Sequence, residues 1–234
     1  MNKMAINLSK MKKDIRLLVT GPRWVTSYGV VKVFIDKLFQ GLDIERQDYV
    51  DKLVFVQGGA KGIDASVKKY ALSNGYQQIE FPAKWDDLDD PRGVDVRYNS
   101  KGDAYNRLVG FHRNVEMVEY ANIAVVFWDK VSKGAAHSFE LCSNRMKADQ
   151  DFLFIPCYLL DKKTLDTLIL LFREGLDEGF YSTSDKLAWY NDLDSVQKVQ
   201  VWDCLDKQER SDFKVLIKLD RSEECLKNVN TQRS

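Results

Sequence analysis

The sequence predicts an α/β protein: a doubly wound, mostly parallel sheet followed by an all-helical C-terminal extension. Three observations carry that expectation. Five short apolar runs (Arg16–Thr20, Leu53–Gln57, Gln78–Pro82, Ile123–Trp128 and Phe152–Cys157) are mostly continuous rather than alternating, as strands covered on both faces must be. Segments with helical spacing lie between them. After Cys157 the strand signal stops, and helical patterns alone follow.

Along the chain, Arg16–Thr20 is the first strand, and Val30 to Phe39 the first helix. Val30, Val31, Phe34, Ile35 and Leu38 form the apolar stripe of that helix. Leu53–Gln57 runs directly into Gly58-Gly59-Ala60-Lys61-Gly62-Ile63-Asp64 and a helix through Leu72. Gln78–Pro82 is the third strand. Asp86 to Asp103 then breaks the rhythm: it is polar, rich in aspartate, and reads equally as an active-site flap or a disordered excursion. Asn114–Tyr120 is a helix before the strand Ile123–Trp128, and Ala135–Met146 is a helix after it. Helices are expected over Lys163–Leu171, Ser184–Tyr190, Ser195–Leu205 and Gln208–Leu219. Thr183, Ser184 and Asp206 are candidate caps, and Trp189, Trp202, Phe213 and Leu216 a candidate core. The domain boundary is placed at 160/161, and Lys227–Ser234 is read as a frayed end.

Four loops follow strands, and in open α/β sheets ligands sit beyond the strands' carboxyl ends. In Thr20-Gly21-Pro22-Arg23-Trp24, Gly21 permits a sharp exit, Arg23 can grip a phosphate, and Trp24 offers a stacking face or a cap on the core. In the glycine turn, Gly58, Gly59 and Gly62 would let backbone N–H groups approach an anion. Asp64 would cap the following helix or bind ribose hydroxyls. In Gly110-Phe111-His112-Arg113-Asn114, the arginine and free N–H groups at a helix start would meet an anionic ligand, and His112 is exposed or a proton-transfer candidate. In Lys133-Gly134-Ala135-Ala136-His137-Ser138, Gly134 turns the chain into another helix start. His137 and Glu140 lie one helical turn apart, and no nucleophile–base pair accompanies them.

Composition narrows the classes. With 35 basic and 35 acidic residues the formal charge is zero, so no global field draws the chain to nucleic acid or a membrane. Lys10, Lys12, Lys13 and Arg16 make a small basic patch, read as solvated. The cysteines Cys142, Cys157, Cys204 and Cys225 are widely spaced without a CxxC pair, which argues against structural zinc or disulfides and suits a reducing cytosol. Met1–Met11 lacks the apolar core of a signal peptide, and no apolar run approaches the ~20 residues of a membrane span.

The motifs Val-Thr-Gly-Pro-Arg-Trp (19–24), Gly-Gly-Ala-Lys-Gly-Ile-Asp (58–64), Phe-Pro-Ala-Lys-Trp (81–85), Gly-Phe-His-Arg-Asn-Val-Glu-Met-Val (110–118), Val-Phe-Trp-Asp (126–129) and Lys-Gly-Ala-Ala-His-Ser (133–138) occur in this order. Together they resemble the YspA-like family of the SLOG superfamily from about Arg16 to Cys157, with the loop at Asp86–Asp103 expanded. The resemblance implies a Rossmann-like fold over residues 1–160, with 161–234 outside it, and a nucleotide-derived ligand at the strand ends. The superfamily includes LOG-type phosphoribohydrolases, DNA-processing DprA/Smf proteins and sensors of NAD-derived signalling nucleotides. LOG-type enzymes cleave nucleotide N-glycosidic bonds with an arginine and a glutamate. By this resemblance the arginine position falls on Arg113, before Met117. The glutamate position falls on His137, the threonine of their glycine turn on Ala135, and its leading glycines at or near Ser132.

A neutral imidazole cannot stabilise an oxocarbenium-like state as a carboxylate does, so binding is expected over hydrolysis. The expected ligand-binding set is Gly21, Arg23, Gly58, Gly59, Gly62, Asp64, Arg113, Asn114 and Gly134. Arg113, His137 and Glu140 are the catalytic set if the chain is an N-glycosidase. The expected partner is a nucleotide or nucleotide-derived sugar phosphate, sensed or sequestered in the cytoplasm. No cofactor, metal or membrane is expected. Homo-oligomerisation is expected from the resemblance, and single-stranded DNA binding of DprA type is a third reading.

Overall fold

In the computed structural model, residues 15–41, 49–177 and 189–214 are described. The chain divides into two compact units, Met1–Leu159 and Leu160–Ser234. The first unit contains a five-stranded parallel sheet in the order β3-β2-β1-β6-β7: β1 Ile15–Thr20, β2 Leu53–Gln57, β3 Gln77–Glu80, β6 Ile123–Trp128 and β7 Leu153–Tyr158. β1 pairs with β2 from Ile15↔Leu53 to Leu18↔Val56, and with β6 from Leu17↔Ile123 to Thr20↔Val126. The two central strands carry the most continuous apolar runs because both of their faces are covered.

Strand alternation sorts the core. Leu18, Val56, Ala124 and Val126 face Met117, Val118 and Cys142 of α3 (Val109–Tyr120) and α4 (Lys133–Ala148). Phe55 and Phe127 turn to the other face, where Phe55 meets Phe39 and Tyr70 and Phe127 meets Phe34. Those partners belong to α1 (Tyr28–Gly41) and α2 (Ile63–Ser73). Each fully buried Phe, Leu or Ile on these faces stabilises the fold by roughly 1.5–3 kcal/mol. The strand order reverses between β1 and β6, whose following helices lie on opposite faces. That places a crevice at their carboxyl ends.

Two expected boundaries move, each for a local reason. The polar stretch 86–103 is ordered: β4 (Val96–Tyr98) and β5 (Ala104–Asn106) form an antiparallel hairpin. Buried Asn106 organises it. Its amide nitrogen donates to the Asp87 and Gly93 carbonyls, and its Oδ1 accepts from the Asp95 and Leu108 N–H groups. The second shift is at α3, which begins at Val109 and not Asn114, because Gly110 is a helical residue. Trp85 lies where a Cβ at Gly110 would sit, 2.8 Å away, so this glycine makes room for an indole instead of breaking the helix. Arg113 and Asn114 therefore lie one turn inside α3, not at its start.

In the second unit, α5 (Lys162–Asp177) is capped by Asp161, which accepts from the Thr164 N–H and hydroxyl. α6 (Ser195–Cys204) starts with a capping box of Asp194 and Gln197. Asp206 and Glu209 repeat the reciprocal pattern at the helical residues 207–214. Fully buried Phe213 packs edge-on against Phe172 and Tyr190. Lys10, Lys12, Lys13, Thr183, Ser184, Leu216, Cys225 and Lys227–Ser234 lie outside the described residues, as do most of the expected helix Ser184–Tyr190 and the end of Gln208–Leu219.

Candidate functional site

The loops after β1, β2, β3 and β6 meet at the carboxyl edge of the sheet, and side chains stitch them together. Arg113 is the main stitch. Its guanidinium, buried within the first unit, donates to the Gly58 carbonyl after β2 and, at 3.4 Å, to the Phe81 carbonyl after β3. Its Nε donates to Asn114 Oδ1 at 3.1 Å, which fixes the orientation of that amide. The amide nitrogen then faces the Gly134 carbonyl and His137 Nδ1, each at 3.4 Å, on α4. Arg23, exposed after β1, lies 5.5 Å over the Trp85 ring. Burial, and to a lesser degree the charge of Arg23, lower the pKa of Arg113 against the opposing charge of Asp64.

The glycine turn is satisfied internally. Asp64 is buried and accepts from Thr20 Oγ1 at 2.9 Å and from the Gly58 and Ala60 N–H groups at 3.2 and 3.3 Å. The Gly59 N–H donates to Gln57 Oε1. The N–H groups expected to meet an anion thus hold the protein's own carboxylate and amide. Burial pushes the Asp64 carboxyl up from its ordinary value, against the Arg113 charge and these hydrogen bonds. The glycines answer to packing. A Cβ at Gly58 would lie 2.0 Å from Arg113 Nη1, and at Gly21 2.8 Å from the Phe127 Cβ. Gly62, at φ 81°, would press on the Pro22 and Arg23 carbonyl oxygens at 2.5 Å. Gly59, at φ 69°, is exposed beside Glu80.

The turn after β6 is built on the same device but stays open. Buried Asp129 accepts from the Val131 and Ser132 N–H groups, the Ser132 hydroxyl at 2.6 Å and the Trp24 indole at 2.7 Å. Burial raises its pKa, but these hydrogen bonds outweigh that and hold the carboxyl below its usual value. Trp24 therefore ties the loops after β1 and β6 across the switch point through its indole N–H. Because Ser132 gives its hydroxyl to Asp129, it does not cap α4. A Cβ at Gly134 would meet nothing within 4 Å. The helix N-terminus, with its unsatisfied N–H groups and partial positive charge, faces open space there.

His137 is half-buried on the first turns of α4, with its ring edge-on to Phe111 at 4.7 Å. Burial pushes its pKa down, against the charge of exposed Glu140, so the imidazole is neutral at physiological pH. His112 points elsewhere: its Nδ1 lies 3.0 Å from Asp90 Oδ2. Asp90, buried in the loop after β3, also takes a forked contact from Arg92, and Arg92 reaches Glu116. Asp90, Arg92 and Glu116, with Lys84, Asp87 and Arg113, line a cavity of about 140 Å³ beside the stitched edge.

The structure thus brings Arg23, Gly58, Gly59, Arg113, Asn114, Gly134 and His137 to one edge, with Gly21, Gly62 and Asp64 as packed supports beneath. Glu140 lies further along α4. Sequence reading passed over Lys84, Trp85, Asp90, Arg92, Asn106 and Asp129 as site residues. Of these, Lys84, Trp85 and Asp129 carried a signal as members of the ordered motifs, Asp90 and Arg92 as part of the candidate flap Asp86–Asp103, and Asn106 none. Among the described residues no cluster of three or more His, Cys, Asp or Glu side chains is arranged to hold a metal, and no helix is long and apolar enough to cross a membrane.

Residues 15–87 match the YAcAr family, described as the YspA, cpYpsA-related SLOG family. That segment runs from β1 through the glycine turn to the loop after β3. A solved structure of DNA processing protein A (DprA) from Streptococcus pneumoniae is similar at 21% identity with a TM-score of 0.39, covering 72% of this chain. The chain spans 59% of the length of that structure. No curated protein matches the chain.

Proposed function

We propose that this chain, with its SLOG-family segment, binds a nucleotide or nucleotide-derived sugar phosphate at the carboxyl edge of the sheet, as a sensor or sequestering protein. One observation carries the reading. The start of α4 lacks a side-chain cap and opens on free space at Gly134, directly beside the Arg113–Asn114 pair. An anion placed there would gain the free N–H groups and the positive end of the helix. Arg113 and exposed Arg23 would add charge from a second side. Gly59, Asn114 and His137 would border the ligand, while Gly21, Gly58, Gly62 and Asp64 hold Arg113 and the loops in register.

Thermal shift against nucleoside monophosphates, ADP-ribose and cyclic dinucleotides tests the proposal. At least one ligand should raise the melting temperature of the wild type, and Gly134→Leu should remove that rise while leaving the ligand-free melting temperature nearly unchanged. If no member of the panel gives a rise, or Gly134→Leu retains it, the site is elsewhere. One observation keeps a hydrolytic reading in view: His137, its pKa lowered by burial, contacts Asn114, which in turn accepts from Arg113. Chromatography after long incubation separates the two, since a sensor returns its nucleotide intact and an N-glycosidase releases free base. A salt-sensitive response to oligonucleotides alone would favour the DNA-binding reading.

A further inference from the structure

We infer that the β4 edge of the hairpin is a self-complementary surface that pairs antiparallel with β4 of a second copy of this chain, centred on Val96. The backbone polarity comes first. β4 has one neighbour, β5, with Val96 opposite Asn106 and Arg97 opposite Tyr105. Asp95 accepts at its carbonyl from the Arg107 N–H, and the Asn99 N–H donates to the Asp103 carbonyl. Alternation therefore turns the backbone groups of Asp95, Arg97 and Asn99 toward β5. Those of Val94, Val96 and Tyr98 turn outward to an open edge.

The side chains fit the same axis. Val94, Val96 and Tyr98 share one face and are 40%, 41% and 72% exposed, an apolar stripe on a hairpin too small to be stable by itself in water. A two-fold axis through Val96 sets Val94 opposite Tyr98 of the second copy and Val96 opposite Val96. Each of these pairs would exchange both backbone hydrogen bonds. On the other face the same axis sets Asp95, already held by Arg97 and Arg107 of its own chain, opposite Arg97 of the second copy, twice, so opposite charges and not like ones meet across the axis. Shifting the axis to Arg97 would instead place two arginines face to face and present inward-turned backbone groups. Of these two axes, sequence pattern and backbone polarity favour the one through Val96. Such an isologous contact closes after two chains. An open edge that pairs with itself leaves no template for further chains.

A register-specific cross-link tests this. In a Cys204→Ser, Cys225→Ser background, Val96→Cys should form a covalent dimer under mild oxidation by oxidised glutathione. Directly opposed, hydrogen-bonded residues have Cα atoms about 5.5 Å apart, within disulfide reach. Arg97→Cys should cross-link at least about tenfold more slowly, because it opposes residue 95 rather than itself. By sedimentation at about 5–200 µM, the range a small interface requires, the wild type should self-associate and Val96→Lys should remain monomeric with an unchanged melting temperature. The proposal is overturned if the wild type stays monomeric throughout that range. It is also overturned if Val96→Lys still dimerises, or if Arg97→Cys cross-links as fast as Val96→Cys.

Discussion

The turns after β2 and after β6 share one construction and reach opposite results. In each, a buried aspartate gathers two N–H groups and a hydroxyl, Asp64 from Gly58, Ala60 and Thr20, and Asp129 from Val131 and twice from Ser132. After β2 every gap is filled: Arg113 covers Gly58, and the carbonyls of Pro22 and Arg23 press on Gly62. After β6 the aspartate takes the Ser132 hydroxyl, so α4 starts uncapped by a side chain, as α2 does at Gly62, but Gly134 faces empty space. Glycine content alone does not mark a ligand site. Neither helix start has a side-chain cap, and what marks the site is which of the two has room beside it for a ligand.

Glycine-to-alanine substitutions break this comparison most sharply. Gly62→Ala combines a left-handed backbone with a clash against two carbonyl oxygens and should cost about 3–4 kcal/mol in urea unfolding. Close behind comes Asp64→Ala, which strands Arg113 and two N–H groups in the interior and should cost about 3 kcal/mol. Trp24→Phe removes one hydrogen bond to Asp129, and the same measurement should show a loss of about 1–2 kcal/mol. Gly134→Ala should leave stability unchanged or raise it by up to about 1 kcal/mol, since alanine is the better helix former and meets no neighbour. A Gly134→Ala loss as large as that of Gly62→Ala would erase the distinction between the two turns.

The aspartates also differ in the sign of their pH dependence. Burial raises Asp64 above its unfolded value near 3.8, so its contribution to stability grows as pH falls from neutral. Asp129 is held below 3.8, so its contribution is present above that pH and is lost as pH falls through the folded value. The stability cost of Asp64→Asn should therefore increase on acidification, while that of Asp129→Asn should decrease below about pH 4. Urea midpoints from pH 7 to pH 3 read both slopes, and parallel slopes would contradict this assignment.

The sheet was legible because its central strands are buried on both faces and must be apolar throughout; Leu53–Gln57 and Ile123–Trp128 are found where the residues placed them. β4 and β5 were not legible, since every residue of β4 is exposed and the buried organiser of the hairpin, Asn106, is an ordinary polar residue outside the stretch that drew notice. The positions of Arg113 and Gly134 along the chain were readable from spacing. The long-range bonds were not: Arg113 reaches the Gly58 carbonyl across 55 residues and Trp24 reaches Asp129 across 105, and no local pattern announces bonds of that range. Gly110 misled for a physical reason, because a glycine that breaks a helix and one that admits an indole look alike in sequence.

The anchoring of the hairpin by Asn106 has a practical corollary. Its bonds reach Asp87, Gly93, Asp95 and Leu108, while the tip is closed separately by Asn99 with Lys101 and Asp103. The base of the hairpin beside the cavity and its tip are thus held by separate sets of hydrogen bonds. A dye or short tag grafted at Lys101 or Gly102 would ride on the tip without loosening the residues around Arg113, giving an optical handle close to the proposed pairing edge.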